Sequence, residues 1–89
     1  MKQARLQIQN AKGLHARAAA KFVKVVENFD AEVWVSNSIE SVGGDSIMGL
    51  MLLGASQGTY LDIRAEGPDE EAVLDALRDL FDRKFDEDL

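Results

Sequence analysis

The chain has 89 residues, 46% of them apolar and 29% charged, enough for one hydrophobic core and too few for a second, which excludes large catalytic scaffolds such as the α/β barrel of about 250 residues. The absence of cysteine removes disulfide frameworks, thiolate metal sites and cysteine nucleophiles and suits a reducing compartment. No segment is long and apolar enough to cross a bilayer, and Met1 to Leu6 is not followed by a signal-peptide apolar stretch, so the expected location is cytoplasmic. The net charge of −6 is unevenly spread: residues 1–29 carry +5, residues 30–61 carry −4 and residues 62–89 carry −7. Such a chain should not bind nucleic acid as a whole, yet its basic third can steer an anion or an acidic protein surface toward the N-terminal segment.

Ala4, Leu6 and Ile8 alternate with polar neighbours, the pattern of a half-buried strand over residues 4–8. After the turn Asn10 to Gly13, the stretch Ala16 to Glu27 places Ala19, Phe22, Val23 and Val26 on one helical stripe, with Lys21 and Lys24 beside the other. Glu32 to Val35 alternates again, Asn37-Ser38 reads as a tight turn, and Ile39 to Val42 returns as a short hairpin partner. Ser46 is placed to cap a two-turn helix over Ile47 to Leu53, which Gly54 ends with a left-handed residue. Leu61, Ile63 and Ala65 form the inward positions of a further strand. Asp69, Glu70 and Glu71 then open a last helix, where Val73, Leu77, Leu80 and Phe81 recur at helical spacing and fraying is expected after Phe85. The order βαββαβα predicts an α+β fold, a single domain over residues 1–89, with three helices on one face of a four-stranded sheet.

The one histidine, His15, precedes the first helix in Gly13-Leu14-His15-Ala16-Arg17. A phosphoryl group on its imidazole would meet the unpaired amides of the first helical turn, and Arg17 adds a charge-assisted donor. Lys21 and Lys24 extend positive charge along a neighbouring face. For a lone histidine the plainer roles are capping the helix or packing beside Leu14. Metal binding has no support, since there is no second histidine or cysteine and the carboxylates lack calcium-loop spacing. In Asp45-Ser46-Ile47-Met48-Gly49 the commonest role of the serine is a simple cap. A hydrolase elbow fails on sequence, and an acyl-carrier serine belongs to a helical bundle that the alternating strands argue against. Leu50 and Leu53 are the natural core contacts of this helix, leaving Ile47, Met48 and Met51 as an exposed apolar patch.

The two motifs, 31 residues apart from histidine to serine, together resemble the histidine-containing phosphocarrier (HPr) family of the phosphoenolpyruvate-dependent phosphotransferase system. The resemblance extends over nearly the whole chain and takes in Gly54, Gln57-Gly58 and Ala65-Glu66-Gly67. It implies an open-faced β-sandwich and a bacterial phosphoryl carrier, not itself an enzyme and without a cofactor. In that scheme His15 is phosphorylated on Nδ1 by enzyme I and passes the group to an enzyme IIA domain. It also makes Arg17 the assisting cation, Ser46 a regulatory site for HPr kinase/phosphorylase, Lys21, Lys24, Ile47, Met48 and Met51 the partner surface, and the carrier a monomer. The alternative function is a regulatory binding protein switched at Ser46 without carrier turnover. Ala18 stands where the family usually has proline; alanine is a good helix former, so the first helical turn should survive the exchange.

Overall fold

In the computed structural model, which describes residues 1–87, the alternating segments become four strands: β1 (Lys2–Gln7), β2 (Glu32–Ser36), β3 (Ser41–Gly43) and β4 (Tyr60–Glu66). They form one antiparallel sheet in the order β1-β4-β2-β3. Period-two alternation sends Leu6, Leu61, Ile63, Ala65, Val33 and Val35 to the covered face. The register places Leu6 opposite Leu61, and Ile63 between Ala4 and Val35. On the open face Arg64 lies over the Trp34 ring and Arg5 over the Tyr60 ring, at 5.7 and 5.5 Å. These cation–π contacts cover aromatic surface that no helix covers.

Three helices close the other face: α1 (Ala16–Glu27), α2 (Ile47–Leu52) and α3 (Glu70–Asp82). The α1 stripe reads as expected, with Ala18, Ala19, Phe22, Val23 and Val26 buried. Phe22 meets Phe81 of α3 edge-on at 6.2 Å, a favoured aromatic geometry. Ser46 caps α2 by accepting the Gly49 amide at 2.9 Å, while Gly54 follows at φ +63° in the left-handed region that glycine tolerates. The expected α+β, open-faced β-sandwich with three helices on one face is the fold observed.

Two local expectations are corrected. The β2–β3 connection is not a two-residue turn at Asn37-Ser38. It runs from Asn37 to Glu40, because the Asn37 side-chain oxygen accepts both the Ile39 and Glu40 amides at 2.8 Å and its own amide donates to Glu40 O, an Asx arrangement that widens the turn. The last helix does not run on and fray after Phe85. It stops at Asp82, and Lys84, Phe85 and Asp86 all take positive φ, from 55° to 61°. The left-handed turn drives the Phe85 ring into the core, fully buried and 4.9 Å from the Phe81 ring.

Candidate functional site

Where the chain leaves β1 it remains tied to the segment before β4. Ile8 donates to Thr59 O and accepts from the Gly58 amide, both at 2.8 Å, and the Leu14 amide donates to Ala55 O at 2.9 Å. Gly13 enters this contact at φ +70°, and a Cβ there would lie 2.5 Å from Ala55 O, so the close approach requires glycine. Leu14 is buried, and Asn10, also buried, donates from Nδ2 to Gly13 O at 2.8 Å. The loop is therefore clamped on both sides just before His15.

His15 occupies the N-cap of α1 in extended conformation, its carbonyl accepting the Ala19 amide at 2.8 Å. Its side chain makes no capping bond to the helix and keeps 27% of its surface exposed. Of the plainer roles, capping the helix is the one this ring does not fill. Instead Nε2 meets the Glu87 carboxylate, and Nδ1 has no hydrogen-bond partner among the described residues. Glu87 arrives through the left-handed turn and is held from its other oxygen by Asn10 Nδ2 at 2.9 Å. Partial burial pushes the Glu87 carboxyl up, but the Asn10 and His15 hydrogen bonds and the charges of His15 and Lys12 outweigh it and hold the group below its ordinary value.

Arg17 is exposed and lines a cleft of about 370 Å³ with Asn10, Lys12, Lys21, Lys84, Asp86 and Glu87. Among the described residues Arg17 forms no ion pair. Four cations facing two carboxylates make this cleft receptive to an anion. Lys21 is partly committed: it donates to Phe85 O at 2.9 Å and lies 3.6 Å from Asp86. Lys24 is exposed in the last turn of α1 and does not line the cleft, so of the two neighbouring lysines only Lys21 reaches it.

Leu50 on α2 and Leu53 at its C-cap are buried and Ile47, Met48 and Met51 exposed, as the spacing indicates. Leu52, 69% exposed, enlarges the patch; it faces outward because six helical residues lying on a sheet have one covered side. Because α2 packs on α1, the apolar patch and the histidine stand on neighbouring helices. Sequence reading missed Glu87 and the role of Asn10, which passed for an ordinary turn residue. Among the described residues no group of three His, Cys, Asp or Glu side chains is placed to hold a metal, and no helix is long and apolar enough to cross a membrane.

A family model described as the PTS HPr component phosphorylation site matches residues 2–83. The chain is 45% identical over 83 residues to a phosphocarrier protein HPr of Xylella fastidiosa, covering 93% of each chain. The crystal structure of HPr-C-His from Thermoanaerobacter tengcongensis superposes with a TM-score of 0.94 at 46% identity, covering all of both chains. An HPr dimer structure from the same organism matches with a TM-score of 0.77 at 46% identity, over 98% of this chain and 100% of that one. The chain belongs to the HPr phosphocarrier family of the phosphotransferase system.

Proposed function

We propose that His15 is the phosphoryl-carrying residue, charged on Nδ1 by phosphorylated enzyme I and discharged to an enzyme IIA domain. The observation that carries this reading is the His15 ring: partly exposed at the start of α1, engaged at Nε2 and without a partner at Nδ1 among the described residues. The Nδ1 lone pair forms the N–P bond as the bond from phosphorus to the donor breaks, its electron pair staying with the donor. Phosphoryl transfer of this kind needs positioning and charge stabilisation more than covalent chemistry from the carrier. The first-turn amides of α1, which have no side-chain cap, and Arg17, without an ion pair among the described residues, suit the transferred group.

The apolar face formed by Ile47, Met48 and Met51 on α2 is the proposed docking surface, with Lys21 and Lys24 supplying attraction at its flank. Its support is the exposure of those side chains beside α1. Ser46 is the proposed regulatory site, modified by HPr kinase/phosphorylase. A phosphate there adds about −1.5 to −2 charge next to Ile47 and opposes docking of an acidic partner. In this reading the chain works as a cytoplasmic monomer, which light scattering checks directly.

Incubation with enzyme I and phosphoenolpyruvate tests the carrier role. Wild type should gain one acid-labile, base-stable phosphoryl group and hand it to an enzyme IIA domain. Persistence of that adduct in His15→Ala removes the assignment.

A further inference from the structure

The contact between His15 and Glu87 joins residues 72 apart in the chain, and it is built rather than incidental. Glu87 reaches the ring only because three non-glycine residues, Lys84 to Asp86, hold left-handed conformations that L side chains disfavour. Burial of the Phe85 ring and the bond from Lys21 Nζ to Phe85 O keep that turn in place. Asn10 spends both amide hydrogens on this corner, one on Gly13 O and one on Glu87 Oε1, while its buried Oδ1 has no partner among the described residues. Rotating the amide would turn its oxygen toward two acceptors, so the orientation that serves Glu87 is the one compatible with its neighbours.

We propose that Glu87 is a positioning residue for phosphoryl transfer: its carboxylate, clamped by Asn10, accepts the Nε2–H of His15, fixes the tautomer with a free Nδ1 lone pair, and balances the positive charge the ring gains when that lone pair bonds phosphorus. This rests on the carrier reading above. Before transfer the neutral ring carries its proton on Nε2. As the N–P bond forms and the donor's bond breaks, the Nε2 proton stays and the ring becomes imidazolium-like, opposite an ionised carboxylate. The same division of labour, one nitrogen reacting while a carboxylate holds the other, governs histidine–carboxylate pairs in acyl transfer. Glu87 touches the ring and not the phosphate, so it acts through His15.

The test uses the full chain as wild type, Glu87→Leu and Glu87→Gln, with ¹⁵N-labelled histidine and circular dichroism to confirm the fold. In wild type the Hε2 proton should appear as a slowly exchanging downfield resonance. In Glu87→Leu it should vanish, and single-turnover phosphorylation by phospho-enzyme I should slow by about tenfold, the scale of one hydrogen bond to a charged group. Glu87→Gln, whose amide oxygen still accepts but carries no charge, should fall between them. Phosphorylation of Glu87→Leu at the wild-type rate, or no protected Hε2 in wild type, overturns the proposal and leaves the carrier reading standing. A wild-type chain that takes no phosphate from phospho-enzyme I overturns both.

Discussion

Substituting Gly13 by alanine should unseat the loop that presents His15, and the size of the effect follows from two separate features. Gly13 has φ +70°, so a side chain there meets the left-handed penalty of about 1 kcal/mol. The added Cβ would also stand 2.5 Å from Ala55 O and 3.0 Å from Ser56 Cα, backbone atoms that cannot rotate away. Relief requires moving the carbonyl that accepts the Leu14 amide, at about 1 kcal/mol for the weakened bond and a similar amount for displacing buried Leu14. The sum, about 3 kcal/mol, lowers Tm by roughly 12–24 °C in a domain of this size. Gly54 is the control, because it has φ +63° but nothing within 4 Å of its virtual Cβ. Gly54→Ala should therefore show the conformational penalty alone, roughly 4–8 °C. Thermal unfolding of the two variants measures the difference, and equal losses would refute the argument that close contact between these loops, and not φ alone, dictates glycine before His15.

Leu50→Ala should cost about 3–5 kcal/mol by chemical denaturation, since the side chain is fully buried, whereas Met48→Ala, 74% exposed, should leave stability within about 0.5 kcal/mol and weaken enzyme I binding in titration calorimetry. Ser46→Ala removes the oxygen that accepts the Gly49 amide and should cost about 1 kcal/mol of unfolding free energy. The Glu87 carboxyl has a folded pKa below its unfolded one. Its stabilising contribution is therefore present above the ordinary carboxylate range and lost as pH falls through the lower, folded value. A Tm series into acid should show wild type losing its advantage over Glu87→Gln; a constant difference would contradict the shift.

The readable parts of the sequence are those in which local pattern and tertiary placement agree. The α1 stripe of Ala19, Phe22, Val23 and Val26, the inward positions Leu61, Ile63 and Ala65, and the Ser46 cap each follow from period, branching or capping chemistry within a few residues. The same locality marked His15 as a residue at a helix start. What stayed hidden depends on distant contacts. Phe85 lies four residues after Phe81 and prolongs the helical spacing, yet the core draws its ring in through a turn that local propensity assigns to glycine. Glu87 follows that turn into contact with His15, and neither its neighbours in sequence nor its type distinguishes it from the other acids of the basic-poor C-terminal segment. Lys21 and Lys24 are neighbours on α1, yet only Lys21 reaches the cleft, whose far wall of Lys84, Asp86 and Glu87 no helical spacing reports.

The atom that carries phosphate is the point on which function and geometry meet. Phosphorylating ¹⁵N-histidine-labelled protein with enzyme I and phosphoenolpyruvate, then recording ¹⁵N–³¹P coupling in the His15 ring, identifies that atom. With Nε2 facing Glu87, phosphorus should couple to Nδ1; coupling to Nε2, or a phosphoryl group on any other residue, would contradict the account.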